Sequence, residues 1–573
     1  MAVQNAEIAR ILNQLADLLE IEGGNQFRVR SYREAASALE NLSRSVGDMV
    51  EQGQDLSRLP GVGESIAAKI EEIVRTGKLA QLEELQKRFP PQLSGLMNVP
   101  GLGPKRVQTL HAQLGIESLE DLEKAARSGA VSELPGFGKK IQTEILQHLE
   151  QGQGAPLRMP LAEAEQLVAA LEAHMKNAPG IQKFTVAGSF RRRKETIGDL
   201  DLVATSQDGK RVIEYFVKFE GVQEVLSKGG TRSSVKVRGG LQVDLRVVAP
   251  DQYGAALFYF TGSRAHNLSL RNEAIEKGLK INEYGVFRGD DQVAGETEAG
   301  LYRVFDLPYI EPELREERGE FQAARQGKLP RLIEGSDIRG DLQSHTTASD
   351  GRASLKEMAQ AARELGYEYL GITDHSEYPG VVRGLDVERL RRQIDEIDRL
   401  NEELKEFVLL KGCEVDIHED GGLALPDDIL KNLDFSYAAV HSHLNLSRQR
   451  QTRRILRALE NPYIHILAHP TGRRIGEREP YDIDMERIMK TLLENDCYIE
   501  LNANPVRLDI NDIYCKMARE MGLKVVIATD AHHPQDLGNM RFGIGQARRG
   551  WLEAGDVLNT RRLNDLMKLL KRK

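Results

Sequence analysis

In the last third of the chain, short apolar runs alternate with helical patterns, and most of these runs end in a side chain that can bind a metal. The ends are Asp374 with His375, Glu414, His441 with His443, His469, Glu500 with Asn502, and Asp530 with His532. Parallel strands whose carboxyl ends carry the functional groups are characteristic of a β/α barrel. With the strand that precedes His345 there are seven such runs, which predicts a distorted barrel.

A single histidine at a strand end is more often a buried core residue than a ligand. Core packing gives no reason for imidazole at the same end of successive strands, so the repetition favours metal binding. Nine of the thirteen histidines lie in the last two fifths of the chain. Mixed nitrogen and oxygen ligands suit Mn²⁺ or Zn²⁺. Such a cluster polarises a phosphate and lowers the pKa of bound water, so the expected reaction is hydrolysis of a phosphoester.

The length and composition limit the classes of protein to which the chain can belong. A length of 573 residues is too great for one core and predicts about three to five domains. There is no long apolar run and no signal peptide at the start, which predicts an intracellular protein with no membrane segment. Three cysteines without a C-x-x-C pair exclude a disulfide framework and a thiolate zinc finger. Because the net charge is -9, any surface that binds nucleic acid must be local.

The first third contains three copies of P-G-x-G, each followed by a helical pattern. A G-x-G turn lets the backbone approach a ligand and aims free N–H groups at an anion before the next helix. The alternative is three ordinary turns between helices, but two copies are followed by basic residues, including Lys105. The motifs resemble helix-hairpin-helix motifs, which grip the DNA backbone without reading bases. The DNA-binding residues expected on this basis are Gly61, Gly63, Lys105, Gly101, Gly103, Gly136 and Gly138.

The middle of the chain contains G-D-L-D-L-V, in which Asp199 and Asp201 share one face of a strand while Leu200 and Leu202 point to the core. Asp244 lies on another alternating strand that can pair alongside. Three convergent carboxylates suit two Mg²⁺ or Mn²⁺ ions in phosphoryl transfer. Solvated acids at a strand end are the alternative. The upstream G-S-F-R-R-R favours the metal site, because a Gly-Ser turn beside arginines suits a triphosphate tail.

Together with L-S-K-G, D-Q-Y-G-A-A-L-F-Y-F-T-G-S and K-G-L-K-I-N-E-Y, these motifs resemble a family X DNA polymerase of the polymerase β type over about residues 1–315. The resemblance implies that Asp199, Asp201 and Asp244 are catalytic and hold the two metals, with Asp244 nearest the primer 3′-hydroxyl. It implies triphosphate contacts from Gly188, Ser189, Arg192 and Gly198, a wall under the sugar from Tyr259, Phe260, Thr261 and Gly262, and minor-groove contacts from Asn267 and Arg271. Three positions depart from the family pattern: Arg193 replaces a glycine, Arg264 an acid and Gln242 a basic residue.

The resemblance also implies a lyase lysine in the first hairpin. Lys69 aligns with this nucleophile, which would attack a sugar aldehyde to form a Schiff base. Ser65 and Arg28 replace two supporting lysines. We therefore expect a weak 5′-deoxyribose phosphate lyase.

The strand-end motifs of the last third resemble the PHP (polymerase and histidinol phosphatase) domain. The resemblance implies three ions: one on His345, Glu414 and Asp530, a second on Glu414, His441 and His469, and a third on Asp350, His375 and His532. Gln343 stands where many members have a histidine. Because an amide can ligate only through a neutral carbonyl oxygen, the ion beside His345 is expected to be the loosest. His418, His443, His465 and His533 fall outside the pattern.

The predicted fold is multidomain: an α-helical helix-hairpin-helix region, an α+β nucleotidyltransferase core with a polymerase β-like palm, and a C-terminal distorted (β/α)7 barrel of the PHP type. The expected limits are 1–85 for an N-terminal lyase and DNA-binding domain, 86–152 for a helix-hairpin-helix domain, 153–250 for the palm, 251–315 for a nucleotide-selection subdomain, 316–336 for a linker and 337–573 for the PHP domain.

A polymerase core joined to a PHP barrel resembles the bacterial family X DNA polymerases. This implies gap filling in DNA repair on gapped or primed DNA with deoxynucleoside triphosphates, and 3′–5′ exonuclease or 3′-end processing by the barrel. We expect a monomer in the cytoplasm, at the bacterial nucleoid. Two alternatives stay open: a barrel that acts as a phosphatase or abasic endonuclease, and a DNA-binding scaffold with decayed sites.

Overall fold

The computed structural model describes residues 5–40, 42, 46–59, 61–97, 99, 101–150, 158–377 and 383–571. Two of the three prolines in the P-G-x-G copies, Pro60 and Pro100, and the predicted boundary at residue 152 lie outside the described residues. The chain divides into two compact units, Met1–Leu157 and Arg158–Lys573. Among the described residues, no helix combines the length and the apolar character that a membrane span requires.

The described part of the first unit is helical, as predicted. Its helices are α1 (Asn5–Glu22), α2 (Gln26–Glu40), α3 (Val46–Glu51), α4 (Glu64–Thr76), α5 (Ala80–Gln86), α6 (Leu93–Leu96), α7 (Pro104–Leu114), α8 (Leu119–Ser128), α9 (Ala130–Glu133) and α10 (Lys139–Glu150). One apolar core, to which Leu15, Ile70 and Leu110 belong, runs through the unit.

Each P-G-x-G copy lies immediately before a helix, namely α4, α7 and α10, as its pattern predicts. The first glycine of each copy has a left-handed backbone, with φ of +74° at Gly61, +82° at Gly101 and +86° at Gly136. The residue between the two glycines is buried in the core in all three copies: Val62, Leu102 and Phe137. The buried side chain fixes the turn, and the glycines on either side of it are exposed and accessible to a ligand.

The second unit begins with an α+β region. Its elements are β1 (Met159–Pro160), α11 (Leu161–Met175), β2 (Ile181–Val186), α12 (Gly188–Arg191), β3 (Thr196–Ile197), β4 (Asp199–Ser206), α13 (Gly209–Phe216), β5 (Val222–Lys228), β6 (Arg232–Val237) and β7 (Gln242–Val248). The five-stranded sheet has the order β2-β4-β7-β6-β5. Strands β4 and β7 are parallel, and their register places Asp201 opposite Asp244. Leu200 and Leu202 are fully buried, so the alternation predicted for β4 is confirmed.

The next region carries α14 (Tyr253–Thr261), α15 (Arg264–Glu276), β8 (Lys280–Asn282), β9 (Gly285–Arg288), β10 (Asp291–Ala294), α16 (Glu298–Arg303) and α17 (Glu320–Arg325). Phe258, Leu270 and Tyr302 form its core together with Trp551, which comes from the C-terminal region. Helix α17 lies inside the stretch predicted as a linker, and its Glu320 is fully buried, where it accepts a hydrogen bond from His266 at 2.8 Å.

The C-terminal region is a barrel of short parallel strands. They are β11 (Gly340–Asp341), β12 (Tyr369–Ile372), β13 (Val408–Lys411), β14 (Glu414–Asp416), β15 (Tyr437–Ala439), β16 (Ile466–Leu467), β17 (Tyr498–Asn502) and β18 (Val525–Ala528). The surrounding helices are α18 (Leu355–Glu364), α19 (Val387–Glu403), α20 (Asp427–Leu430), α21 (Arg448–Leu459), α22 (Met485–Glu494), α23 (Asp512–Met521), α24 (Met540–Arg549) and α25 (Leu563–Leu570).

The barrel strands form two sheets, β11-β12-β13 and β14-β15-β16-β17-β18. Strands β13 and β14 are one chain segment interrupted at Gly412 and Cys413. Parallel bridges from His375 to Glu414 and from Ser344 to Ala531 connect the sheets at both junctions. The result is a closed, distorted barrel of seven strand segments, as the sequence predicts.

Candidate active sites

The first candidate site lies on the sheet of the second unit, where β4 and β7 run side by side. Asp201 and Asp244 are direct neighbours in the ladder, and Asp199 lies two residues earlier on the same face of β4. Burial, together with the charges of Asp199 and Asp244, raises the pKa of Asp201 to about 7. Burial and the charge of Asp244 also raise the pKa of Asp199. Like charges at this spacing repel, so the cluster favours a divalent cation.

Asp244 is held by its neighbours in the sheet. The Gln242 side chain donates a hydrogen bond to its carboxylate at 2.8 Å, and the Ser234 hydroxyl donates to its other oxygen. In the described chain, the three aspartates do not form a set whose ligand atoms all lie within 4.8 Å of one another. Of the three aspartates that the sequence predicts to converge, Asp201 and Asp244 thus lie side by side, while Asp199 is exposed at the edge.

The Gly-Ser pair predicted as a turn that holds a triphosphate forms the first turn of α12, beside Asp201. Gly188 has a φ of +62°, and a Cβ at this position would lie 2.7 Å from an Asp201 carboxylate oxygen, so only glycine fits. The Ser189 hydroxyl oxygen is buried without a hydrogen-bond partner. A buried hydroxyl of this kind needs a partner, and a phosphate oxygen would supply one. Gly198 lies at the start of β4, close to the Arg158 guanidinium.

Arg192 is fixed by a network of ion pairs that the sequence does not reveal. Its guanidinium lies 3.1 Å from the Glu316 carboxylate and donates a hydrogen bond to the Thr261 carbonyl. Arg549, on α24 of the barrel, lies 2.9 Å from the same Glu316 and 2.6 Å from Asp512. Arg549 also donates to the Arg192 carbonyl at 2.7 Å. The barrel therefore helps to position a side chain predicted to contact the triphosphate.

The predicted nucleotide-selection residues lie on α14 and α15. Tyr259 is 46% exposed, and Asn267 donates to the Tyr259 carbonyl at 2.7 Å. Asn267 and Arg271 share a face of α15, as their spacing predicts, and Arg271 is exposed. Phe260 is half-buried, and Gly262 ends α14 close to Arg192.

Arg246 is a residue of this site that sequence reasoning missed. Its guanidinium carbon lies 5.3 Å from the centre of the Phe260 ring, and its Nη1 is buried without a hydrogen-bond partner. Its charge lowers the pKa of Asp201 against the larger effect of burial. The signal was available, because Arg246 follows Asp244 at the spacing that puts both on one face of β7.

Lys69, the predicted lyase nucleophile, lies on α4 and is partly exposed. Its ammonium is 3.4 Å from the Ser65 carbonyl oxygen and 3.5 Å from the Ser65 hydroxyl. Arg28 points its guanidinium to Gln81, at 3.2 Å. Of the two substituted positions, Ser65 therefore gives the lysine a weak hydrogen-bond partner, and Arg28 contacts Gln81 instead.

The second candidate site lies at the carboxyl ends of the barrel strands, around the fully buried carboxylate of Glu414. Nε2 of His469 and Nε2 of His441 lie 2.9 and 3.1 Å from Glu414 Oε1. Nε2 of His345 and Nδ1 of His375 each lie 3.5 Å from Glu414 Oε2. Glu414 is therefore shared on both sides, as the predicted bridging role requires.

Among the described residues there are three groups of possible metal ligands, and within each group the ligand atoms lie within 4.8 Å of one another. One group is His345, Glu414 and Asp530; a second is His375, Glu414 and His441; a third is His345, Asp350, His375 and His532. The first is the set predicted for one ion, and the third contains the set predicted for another. In the second, His375 stands where His469 was predicted, although His469 touches the same oxygen of Glu414 as His441 does.

The ionisation of this centre is governed by its internal charges. Burial raises the pKa of Glu414, but His375, His441 and His469 outweigh it and hold that pKa well below the usual range. Burial lowers the pKa of His441, yet hydrogen bonds to Asp416 and Glu414 raise it to about 9. Carboxylates and imidazoles this close would otherwise compete for protons, and divalent ions satisfy both ligand types.

Gln343 lies inside this centre. It is fully buried, and its Nε2 donates to Glu414 Oε2 at 3.0 Å, while its carbonyl oxygen has no hydrogen-bond partner. This carbonyl oxygen is the one atom of the amide that can bind a metal, and the sequence predicts that it binds weakly.

Further functional candidates flank the ligands and were missed from the sequence. Asp416 lies 3.2 Å from Nδ1 of His441 and so orients that ring. It follows Glu414 at a spacing of two, which could have identified it. Arg507 lies 3.5 Å from Asp530, on the loop after β17, and so brings a positive charge to this centre.

Comparison with known proteins agrees with the predicted types of domain. Family descriptions match in chain order: "Helix-hairpin-helix domain" over residues 3–79, "SAM-like Helix-hairpin-helix tandem" over 93–151, "DNA polymerase beta palm" over 158–235, "DNA polymerase beta thumb" over 256–316 and "PHP domain" over 341–504.

Three relatives match different shares of the chain. DNA polymerase/3'-5' exonuclease PolX of Bacillus subtilis (strain 168) is 39% identical over 99% of both chains. DNA polymerase lambda of Rattus norvegicus is 29% identical over 54% of this chain and 56% of its own. A protein named "Probable phosphatase Teth514_1060", from Thermoanaerobacter sp. (strain X514), is 31% identical over 40% of this chain and 96% of its own.

The fold and the two sites define an enzyme that joins a nucleotidyltransferase palm to a barrel of phosphoesterase type, both dependent on divalent metals. The chain belongs to the family X DNA polymerases that carry a C-terminal PHP domain.

Proposed function

We propose that the palm extends a DNA primer across short gaps during repair, with Asp199, Asp201 and Asp244 as the metal-binding acids. The observation that carries this proposal is the parallel register of Asp201 and Asp244 beside the Gly188–Ser189 turn. When bound, Mg²⁺ or Mn²⁺ neutralises charge on the reacting phosphate and activates the attacking hydroxyl. Ser189 and Arg192 hold the triphosphate, and Tyr259 supports the sugar.

We infer that the PHP barrel hydrolyses the 3′ end of DNA, with Mn²⁺ or Zn²⁺ held by His345, Glu414, His441, Asp530 and the other predicted ligands. The shared, fully buried Glu414 carries this inference. Arg507 faces the centre and can bind the scissile phosphate. The name of the B. subtilis relative includes a 3'-5' exonuclease, which supports degradation of DNA from its 3′ end.

One experiment tests both activities together. A 5′-labelled primer on a gapped template is incubated with Mn²⁺, with and without deoxynucleoside triphosphates. We expect lengthening with nucleotides and shortening without them. A primer that is neither lengthened nor shortened would contradict both assignments.

A second candidate for the barrel is a phosphatase that acts on small phosphomonoesters. The relative named as a probable phosphatase, which aligns over 96% of its own length, favours it. Hydrolysis of p-nitrophenyl phosphate without shortening of a 5′-labelled single strand would support this alternative over the exonuclease.

We also propose how the enzyme binds its DNA substrate and where in the cell it acts. The helix-hairpin-helix turns at Gly61, Gly101 and Gly136 grip the DNA backbone, and gapped or primed DNA is the preferred form. Since the substrate is chromosomal DNA, we place the enzyme at the nucleoid in the bacterial cytoplasm. We expect it to act as a monomer.

We further propose a weak lyase centred on Lys69. Borohydride should trap the protein on a 5′-deoxyribose phosphate flap by reducing the Schiff base to a stable amine. Lys69→Ala should lose this trapping. Lys78→Ala, which removes an exposed lysine beyond the same helix, should keep it. Equal trapping of both variants, or no trapping of the unmodified protein, would contradict the assignment.

The amide at position 343 predicts unequal metal retention. During timed treatment with a chelator, elemental analysis should show one equivalent of metal leaving before the others, because a neutral carbonyl is a weak ligand. Gln343→His should retain that equivalent longer. Simultaneous loss of all equivalents from the unmodified protein would show that Gln343 does not weaken a site.

A further inference from the structure

A cavity of about 670 Å³ lies between the palm and the mouth of the barrel. Helix α11 forms one wall, and loops at the carboxyl ends of the barrel strands form the other. The residues that matter here are Gln166, Ala169, Asn504, His532, Asn539 and Arg541. This cavity has no part in the nucleotide-addition site described above.

The cavity opens onto the barrel's metal centre through His532. This histidine belongs to the ligand group that contains His345, Asp350 and His375, and its Nε2 lies 3.3 Å from Asp350. The side chain of His532 is 31% exposed, whereas that of His345 is fully buried. Asp350 of the same group is also partly exposed, at 36%, but only His532 lines the cavity, so a phosphodiester bound beside His532 lies next to the cavity.

The lining chemistry suits a nucleoside better than a second phosphate. Gln166, Asn504 and Asn539 carry amides, which can pair with the edges of a base. The Nε of Arg541 lies 3.0 Å from the Glu165 carboxylate, and Asp536 adds a second carboxylate to the lining, so a second phosphate would meet negative charge there. The remaining surface includes Ala169 and Phe542, and the volume falls in the range of small-molecule sites.

Helix α11, which forms the palm side of the cavity, is packed against the barrel. Phe542 and Leu508 of the barrel belong to the same buried apolar cluster as Leu161 and Val168 of α11. Glu165 binds Arg193 at 2.7 Å as well as Arg541.

The arginine that replaces the family's glycine takes part in this contact. Arg193 keeps a left-handed φ of +55°, which explains why glycine is usual there, and its side chain packs beside Gly545 of α24. Arg193, which departs from the family pattern, thus contributes to the contact between the palm and the barrel.

We propose that this cavity binds the base and sugar of the 3′-terminal nucleotide while its phosphodiester lies at the barrel's metal centre. The nuclease site then spans both domains, and α11 of the palm supplies the wall against which the terminal nucleotide rests. This proposal depends on the exonuclease activity proposed above.

Two adjacent alanines on α11 provide a matched test. Ala169 and Ala170 are both exposed, but only Ala169 lines the cavity. Ala169→Trp should lower kcat/KM for shortening a 5′-labelled single strand, on the order of tenfold to a hundredfold, because the terminal nucleotide is displaced. Ala170→Trp should behave as the unmodified enzyme, and both variants should keep primer extension. Inhibition of exonuclease by dAMP should weaken in Ala169→Trp alone.

The outcomes separate the two proposals. Equal exonuclease rates and equal dAMP inhibition in the two variants would overturn the cavity assignment while leaving the exonuclease intact. An unmodified enzyme that hydrolyses p-nitrophenyl phosphate but does not shorten DNA would overturn the proposed exonuclease, and the nucleotide cavity with it.

Discussion

Replacing Asp201 by alanine should abolish primer extension and leave DNA shortening intact. Asp201 lies directly opposite Asp244 in the parallel ladder and beside Gly188, so its carboxylate lies where we propose that metal and triphosphate bind. We expect a loss of extension of about a thousandfold or more, as is typical when a metal-binding acid is removed from a phosphoryl-transfer site. Single-nucleotide incorporation on a gapped template measures it.

The fold should tolerate this change. Burial and neighbouring acids raise the pKa of Asp201 to about 7. Above the pKa of this group in the unfolded chain, its ionised form therefore lowers the free energy of unfolding. The loss of stability is greatest once the pH exceeds 7. Asp201→Ala should therefore unfold at an equal or higher temperature at pH 8.

Glu224→Ala, on β5 of the same sheet, is the control, because it removes an exposed carboxylate away from the ladder pair. Extension should survive in this variant. Near-normal extension by Asp201→Ala would show that the acid pair is not the catalytic centre.

His441→Ala should produce the opposite result, with loss of DNA shortening and normal primer extension. The ring bridges Glu414 at 3.1 Å and Asp416 at 3.2 Å. Its removal takes a proposed ligand from the centre and leaves Asp416 without the ring that it orients. The effect on the exonuclease rate should be about a hundredfold or more. Metal content by elemental analysis should fall in parallel.

His443 offers a close control for this variant. It lies two residues further along the same loop, is 53% exposed, and pairs only loosely with Glu419, at 3.6 Å. His443→Ala should keep both activities. Loss of both activities in either His441→Ala or Asp201→Ala would contradict the assignment of two separate sites.

Much of each site follows from local sequence patterns. The alternation of G-D-L-D-L-V put Asp199 and Asp201 on one face, and the structure has Leu200 and Leu202 buried behind them. Strand ends at His345, Glu414, His441 and Asp530 converge, because parallel strands bring their carboxyl ends to one side of a barrel. Short periodicities of this kind determine which side chains face together.

The sequence could not show the contacts between distant segments. The path from Arg192 through Glu316 to Arg549 joins residues more than a hundred positions apart, and charged side chains in such stretches look solvated until tertiary packing buries them. The choice between His375 and His469 in one ligand group likewise depends on side-chain distances within the barrel.

The sequence by itself therefore determined the domain types, the order of the domains and almost every metal-binding candidate, because strand and turn periodicities are local. Only the tertiary structure decided that Arg549 of the barrel helps to hold Arg192 in place and that α11 forms one wall of a cavity beside His532. Both depend on how two domains pack against each other, and this packing rests on buried ion pairs and apolar contacts whose partners lie far apart in the chain.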